Sequence, residues 1–150
     1  MGLVDESAGE ISLAREHFEA ALISFEKLHM RGPAVDTRAG LARSALNEGD
    51  LETACQQANE IEATLHEIGP LGMEFPIRAF LTCARVWQVA GEKVRMLRMI
   101  SEGYTELAAR AERIRISDWR QSFMENIPEH RELVALWNEF QPLSGDSSNQ

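Results

Sequence analysis

Apolar and polar residues follow one another along most of the chain with the period of an α-helix. Between residues 10 and 31 the apolar positions recur at spacings of three and four, which predicts an amphipathic helix. These positions are Ile11, Ala14, Phe18, Ala21, Leu22, Phe25 and Leu28. β-branched residues never alternate with polar ones for more than a few positions, so no strand is predicted. The pattern therefore predicts an all-α protein.

Glycine and proline divide this pattern into about seven predicted helices. Gly32-Pro33 is expected to end the first helix, and Asp50 to cap the third, since its carboxylate can accept from the free amides of the first turn. The predicted helices span about residues 10–31, 34–47, 51–68, 74–90, 92–114, 117–126 and 128–140. Residues 9–141 are predicted to form one domain, between a flexible N-terminus at 1–8 and a disordered tail at 142–150.

A short pattern recurs three times along the chain, at intervals of 40 and then 42 residues. It opens with a glycine and an acid, at Gly9-Glu10, Gly49-Asp50 and Gly91-Glu92. A helix is predicted after each, and two positions of buried type follow with a spacing of four. These positions are Ala14 and Phe18, Ala54 and Ala58, and Met96 and Ile100. Such recurrence is typical of stacked helical hairpins, because one hairpin cannot bury its apolar face alone.

The helices before the second and third glycine also match each other. The segment Arg38-x2-Leu41-Ala42-x2-Ala45 aligns with Phe80-x2-Cys83-Ala84-x2-Trp87. Together with Ala14-x3-Phe18, this resembles the tetratricopeptide repeat (TPR), whose helices read W-x2-L-G-x2-Y and A-x3-F. Here alanine replaces the glycine, and the period exceeds the usual length of about 34 residues. The resemblance implies an α-solenoid, in which antiparallel helix hairpins stack into a right-handed superhelix.

The C-terminal stretch carries a second resemblance. The segment from Ser122 to Leu133, followed by Leu136-Trp137, is similar to the end of tetratricopeptide segments in large bacterial signalling proteins. It implies that the chain is a non-catalytic scaffold from a cytoplasmic bacterial regulator of signalling or transcription. Its partner is then expected to be another protein or a peptide.

The first predicted helix lacks the preceding helix of its hairpin. Phe18, Leu22 and Phe25 would therefore lack half of their packing. An uncovered apolar face on a terminal repeat is a site of association. We expect self-association of the chain through these three residues, as a homodimer; the alternative is a covering segment from a longer chain.

A ladder of side chains recurs on the first helices of the second and third hairpins. Ala39, Arg43 and Leu46 share one helix face, because their spacing is i, i+4, i+7. The same arrangement returns 42 residues later. The resemblance implies that this face lines the concave groove of the solenoid. The predicted groove residues are Ala39, Arg43, Leu46, Asn47, Arg78, Leu81, Arg85 and Gln88.

The arginines of this ladder suggest which ligand the groove binds. A guanidinium group pairs bidentately with a carboxylate. We therefore expect a peptide with acidic side chains or a C-terminal carboxylate. The other interpretation is that Arg43 and Arg85 are ordinary surface charges, which pair with nearby glutamates.

The net charge of −9 is distributed unevenly. Residues 1–70 carry −8, residues 71–124 carry +3 and residues 125–150 carry −4. Such an acidic chain argues against general nucleic-acid binding. The alternative function is a nucleic-acid contact through a basic patch without interleaved aromatic residues. The competing interpretation is that its arginines pair with Glu106, Glu112 and Asp118 or with a partner domain. The patch consists of Arg110, Arg113, Arg115 and Arg120.

No catalytic, metal or cofactor site is predicted. The sequence has no His-Glu-x-x-His, no Cys-x-x-Cys, no glycine-rich phosphate loop and no nucleophile elbow, so we do not expect an enzyme. Cys55 and Cys83 lie in apolar helical patterns and are expected to be reduced core thiols. With no signal peptide and no apolar run long enough for a membrane helix, the sequence predicts a cytoplasmic protein without a membrane contact.

Overall fold

The computed structural model describes the backbone of residues 2–70 and 73–148 and the side chains of residues 13–70 and 73–140. Within these ranges the chain forms seven α-helices and no strand, which confirms the all-α prediction. The helices are α1 (Gly2–Lys27), α2 (Arg31–Glu48), α3 (Leu51–Ile68), α4 (Pro76–Ala90), α5 (Lys93–Glu112), α6 (Ser117–Glu125) and α7 (Pro128–Ser148).

Consecutive helices pack against each other as hairpins. Each of the helices from α1 to α5 contacts the next one along the chain. In addition, α2 packs on α4, and α4 packs on α7. Helices α2, α4 and α7 therefore form one layer, against which α1, α3 and α5 pack. The short helix α6 contacts α5 and α7.

Three helices end in the same left-handed turn. Gly49 and Gly91 have positive φ angles of 79° and 77°, a conformation that costs residues with a Cβ atom 1–2 kcal/mol, roughly. In each case the next amide donates back to the last turn, from Asp50 to Ala45 at 2.8 Å and from Glu92 to Trp87 at 2.9 Å. His29, with a φ of 55°, ends α1 in the same way. This closure satisfies carbonyl groups that a helix end leaves open.

Two predicted breaks lie elsewhere. Gly32-Pro33 does not end α1 but lies in the first turn of α2, which begins at Arg31. Proline is tolerated there because the amides of a first turn have no partner within the helix. The turn at His29 ends α1 instead, four residues before the predicted end. Gly9-Glu10, aligned with the two glycine turns, lies inside α1 and forms no turn.

The outer helices are longer than predicted. Helix α1 extends back to Gly2 and α7 extends forward to Ser148, so both enter the segments predicted to be a flexible N-terminus and a disordered tail. A helix that is already nucleated adds one hydrogen bond for each residue it gains, which favours such extension. The flexibility of these segments stays a prediction.

Asp50 caps α3 as predicted, because its Oδ1 accepts from the Thr53 amide at 3.2 Å. Its Oδ2 accepts from Arg15 of α1 at 3.1 Å, and Arg15 also donates to Glu48 at 2.5 Å. The hydrogen bonds from Thr53 and Arg15 hold the pKa of Asp50 below its usual value. These contacts fasten α1 to the turn between α2 and α3.

The core contains both small and large side chains. Small side chains fill the contact between α2, α3 and α4, which lets these helices approach closely. They are Ala39, Ala42, Ala45, Ala54, Ala58, Ala79 and Ala84, all buried. Large side chains of α2 to α5 and of α7 complete the same core. They include Phe80, Trp87, Met99, Ile100, Leu107 and Leu133.

Among the described side chains, one charged group is buried in the core. Glu62 of α3 is only 6% exposed. It accepts a hydrogen bond from the Trp87 indole and another from Arg95 at 3.0 Å. The Arg95 guanidinium also lies over the Trp87 ring, 3.6 Å from its centroid. Because a buried charge is tolerated when it is paired and hydrogen-bonded, this cluster joins α3, α4 and α5.

Both cysteines are free thiols. Cys83 is fully buried, with its Sγ 3.8 Å from the carbonyl oxygen of Ala58, and burial raises the pKa of its thiol well above the usual value. Cys55 is half-buried at the edge of the core, and burial also raises its pKa. The prediction of a core thiol is therefore confirmed for Cys83, whereas Cys55 lies at the margin.

Gly103 of α5 makes a close contact that tests this packing. A Cβ atom at this position would lie 2.8 Å from Cβ of Phe80 and 3.2 Å from Leu133. In a solvent-exposed helix, Gly→Ala stabilises by about 1 kcal/mol, but overpacking a core costs about 1–3 kcal/mol.

We expect Gly103→Ala to lower the free energy of unfolding by about 1 kcal/mol, measured by urea denaturation. Ser101→Ala, at an exposed position of α5, is the control and should change little; a Gly103→Ala variant more stable than the wild type would contradict the packing.

Candidate partner-binding groove

The layer of α2, α4 and α7 encloses a surface cavity of about 520 Å³. Six of the eight predicted groove residues line it, on adjacent faces of α2 and α4. They are Arg43, Leu46, Asn47, Arg78, Leu81 and Arg85. Helix α7 closes one side of the cavity with Glu129 and Glu132. The two helix faces that the repeat aligns therefore lie side by side, and the carboxylates of α7 line the same cavity.

Two predicted residues do not line the cavity. Ala39 is 1% exposed and belongs to the core, because its small side chain is enclosed where α2 approaches its neighbours. Gln88 is exposed at the next turn of α4 and accepts a hydrogen bond from Arg85 at 2.8 Å.

Two of the three groove arginines pair with α7. Arg78 donates from Nε and Nη2 to Glu129, at 3.0 and 2.6 Å. Arg85 donates from two guanidinium nitrogens to Glu132, at 2.9 Å from Nε. For Arg85 the structure thus agrees with the interpretation that it pairs with a glutamate. The glutamate comes from a helix 47 residues away in sequence.

Arg43 differs from the other two arginines. Its guanidinium is half-buried and donates to the Thr82 hydroxyl at 3.3 Å, and no carboxylate among the described side chains forms an ion pair with it. Burial lowers the pKa of Arg43, and the charge of Arg78 lowers it further. The charges of Glu129 and Asp36 oppose this shift, but neither carboxylate hydrogen-bonds to Arg43 among the described contacts. The guanidinium therefore keeps donors for an incoming anion.

Apolar and polar side chains surround Arg43. Leu46 and Leu81 form apolar walls, and Asn47 presents an exposed amide at the edge. Thr82 is held by its own hydrogen bond to the carbonyl oxygen of Arg78, at 2.7 Å. The arrangement can hold one carboxylate and an adjoining apolar group.

The sequence missed three residues of this site: Thr82, Glu129 and Glu132. Thr82 lies one position after Leu81 and one turn after Arg78, so the helix face could have included it. The two glutamates lie three residues apart, near the start of α7. Their spacing indicates a shared helix face, but no sequence signal links that face to α4.

The pair between Arg78 and Glu129 depends on the charge of the carboxylate. Burial alone would raise the pKa of Glu129, but a backbone amide and Arg78 hold it below the ordinary value of 4.5. Because the folded-state pKa lies below the unfolded one, this group stabilises the fold above pH 4.5, and its contribution is lost as the pH falls through the lowered pKa.

The predicted basic patch lies at the end of α5 and the start of α6. Arg110 donates to Glu106 at 2.7 Å, and Arg120 donates twice to the carbonyl oxygen of Ile114, at 3.0 and 2.7 Å. Arg113 and Arg115 are exposed. The expectation that no aromatic residue accompanies the patch was wrong, because Trp119 lies within it and is 66% exposed.

The predicted self-association residues lie on the side of α1 that faces α2. Phe18, Leu22 and Phe25 are half-buried. The Phe18 ring lies directly against Gly40 of α2, where a Cβ atom would come within 2.6 Å of it. Helix α2 therefore covers part of this apolar stripe, and self-association through it stays a prediction.

No group of three or more His, Cys, Asp or Glu side chains that could hold a metal ion occurs among the described residues. Nor is any described helix both long and apolar enough to cross a membrane. Comparisons with protein-family models, with curated proteins and with solved structures found no match.

Replacing Glu129 tests how α7 is held. We expect Glu129→Gln to lower the free energy of unfolding by about 1 kcal/mol at neutral pH, because it removes a partly exposed ion pair. The difference from the wild type should shrink as the pH falls below 4.5. Chemical denaturation at several pH values measures both effects. Glu139→Gln, at an exposed position of the same helix, is the control; a loss for Glu129→Gln that stays constant down to low pH would contradict the ion pair.

Proposed function

We propose that the chain is a protein–protein interaction module, a tetratricopeptide-like scaffold of a cytoplasmic bacterial signalling or transcriptional regulator. Its groove binds an acidic segment of a partner protein. The observation that carries this proposal is Arg43, a half-buried guanidinium in a cavity where the two other arginines already have carboxylate partners.

The energetics of Arg43 favour an anionic ligand. The group has already lost part of its hydration, as the direction of its pKa shift indicates. A ligand carboxylate that pairs with it therefore adds a charge-assisted hydrogen bond at a reduced further cost of desolvation. Each such hydrogen bond to a charged group contributes about 1.5–3 kcal/mol to the free energy of the interaction.

The carboxylates of α7 support the same ligand chemistry. Glu129 and Glu132 reach α4 from another helix and engage Arg78 and Arg85 through pairs of hydrogen bonds. An acidic segment of a partner can engage Arg43 in the same manner. Leu46 and Leu81 then contact an apolar side chain of that segment, which gives the interaction selectivity beyond charge.

This function requires neither catalytic groups nor a cofactor. Self-association through α1 belongs to the same proposal, with the half-buried stripe of Phe18, Leu22 and Phe25 as its starting point. We do not propose the nucleic-acid function of the basic patch, because Arg110 and Arg120 are engaged within the chain.

Peptide titration tests the groove. The probe is a fluorescein-labelled peptide of alternating Asp, Glu and Leu residues, compared with the same peptide in which Asn and Gln replace the acids. We expect the acidic peptide to bind more tightly in fluorescence polarisation. Arg43→Ala should weaken its binding by roughly tenfold or more, from the loss of a charge-assisted bond.

Arg98→Ala is the matched control, because Arg98 is an exposed arginine on α5 outside the groove. It should leave the affinity unchanged. Forms of the acidic peptide with a free and an amidated C-terminus separate recognition of side chains from recognition of the terminal carboxylate. Equal binding of acidic and neutral peptides, or wild-type affinity in Arg43→Ala, would refute the proposed groove function.

A further inference from the structure

The junction of α5 and α6 exposes an apolar pair. Ile116 is 48% exposed and Trp119 is 66% exposed, although large apolar side chains tend to be covered. Phe123 continues the same helix face one turn later and packs against the core. The apolar stripe of α6 is therefore exposed to solvent at Ile116 and Trp119 and packs against the core at Phe123.

The same junction carries basic groups. Arg113 and Arg115 are exposed, and no ion pair with a described carboxylate engages them. Arg120 fixes the backbone beside them through its two hydrogen bonds to Ile114. We name this exposed surface the α5–α6 corner. It consists of Arg113, Arg115, Ile116 and Trp119.

The chemistry of the corner selects its partner. Trp119 and Ile116 can pack on apolar side chains of a partner, and the two arginines can pair with a carboxylate. Two uncompensated arginines are few for a phosphate backbone, whose binding requires several cations, and the chain as a whole carries −9. An acidic protein surface with exposed apolar side chains fits better.

The chain itself presents such a surface at its other end. On α1, Leu13 and Ile23 are each 55% exposed, and the exposed Glu16 and Ala20 lie between them on the side away from α2. We name Leu13, Glu16, Ala20 and Ile23 the outer face of α1. Among the described residues, the backbone of α1 packs on α2 and that of α6 packs on α5 and α7, and Arg15 links α1 to Asp50 and Thr53. Both surfaces are thus accessible within the described chain.

We propose that the α5–α6 corner of one copy docks on the outer face of α1 of a second copy. Trp119 and Ile116 then cover Leu13 and Ile23, while Arg113 and Arg115 pair with Glu16. This inference rests on the self-association included in the proposed function, but it places the contact on the outer face of α1 and not on the stripe of Phe18, Leu22 and Phe25, which faces α2. Because the two surfaces differ, the contact is head-to-tail and leaves one of each free.

Sedimentation velocity over a range of concentrations tests the docking. We expect the wild type to form species heavier than a dimer as the concentration rises, and higher salt to weaken them. Trp119→Ser should weaken the association by about tenfold or more, because tryptophan is a frequent energetic centre of interfaces. Val94→Ser, at an apolar position of α5 that is even more exposed, is the matched control.

A charge exchange identifies the two surfaces directly. Glu16→Arg and the double variant Arg113→Glu/Arg115→Glu should each associate more weakly than the wild type, since each brings like charges together. Mixing the two in equal amounts should restore association, because both kinds of contact then join opposite charges. Arg98→Glu serves as the control for an altered exposed arginine, and circular dichroism verifies that every variant is folded.

The outcomes separate this docking from the wider proposal. Association that survives Trp119→Ser, or a mixture that stays dissociated, overturns the docking and leaves self-association through another surface. A monomer at every concentration overturns both, while the peptide titration still decides the groove function. Labelled oligothymidine that binds the wild type but not Trp119→Ser, in a chain that stays monomeric, overturns the docking in favour of a nucleic-acid contact.

Discussion

Alanine side chains in the contact between α2, α3 and α4 determine how closely these helices lie together. Eight alanines in these helices are buried, and their lack of bulk lets the helix axes approach. The close approach places the outward faces of α2 and α4 next to each other. Arg43 on one helix and Arg78 and Arg85 on the other consequently share a cavity, although their positions span more than forty residues of sequence.

Helix α7 then divides these cations into two kinds. It packs on α4, beyond the reach of α2, so its glutamates meet Arg78 and Arg85 but leave Arg43 with a hydroxyl partner. In the groove, the arginines of α4 therefore form ion pairs with α7, whereas the arginine of α2 forms none with a described carboxylate. On the α2 side, Glu129 and Asp36 act on Arg43 only through their charge.

Local patterns predicted most of the fold, whereas contacts between distant segments were beyond their reach. Spacings of three and four gave the helices, and the turns at Gly49 and Gly91 followed from residues that a left-handed conformation requires. Gly32-Pro33 was misplaced because proline suits the first turn of a helix as well as the segment after one. Six groove residues followed from the interval of the repeat. The positions of Glu129 and Glu132 could not be predicted in this way, because they depend on the lengths of α5 and α6 and on how α7 packs against α4.

The burial of the Cys83 thiol affects how fast the chain reacts with thiol reagents. Only a thiolate reacts readily with alkylating agents and oxidants, and this sulfur is both enclosed and held in its protonated form. Its modification must await an opening of the contact between α3 and α4, whereas Cys55 at the margin needs a smaller displacement. The relative labelling rates of the two sulfurs therefore distinguish a local displacement of one helix from unfolding of the whole core.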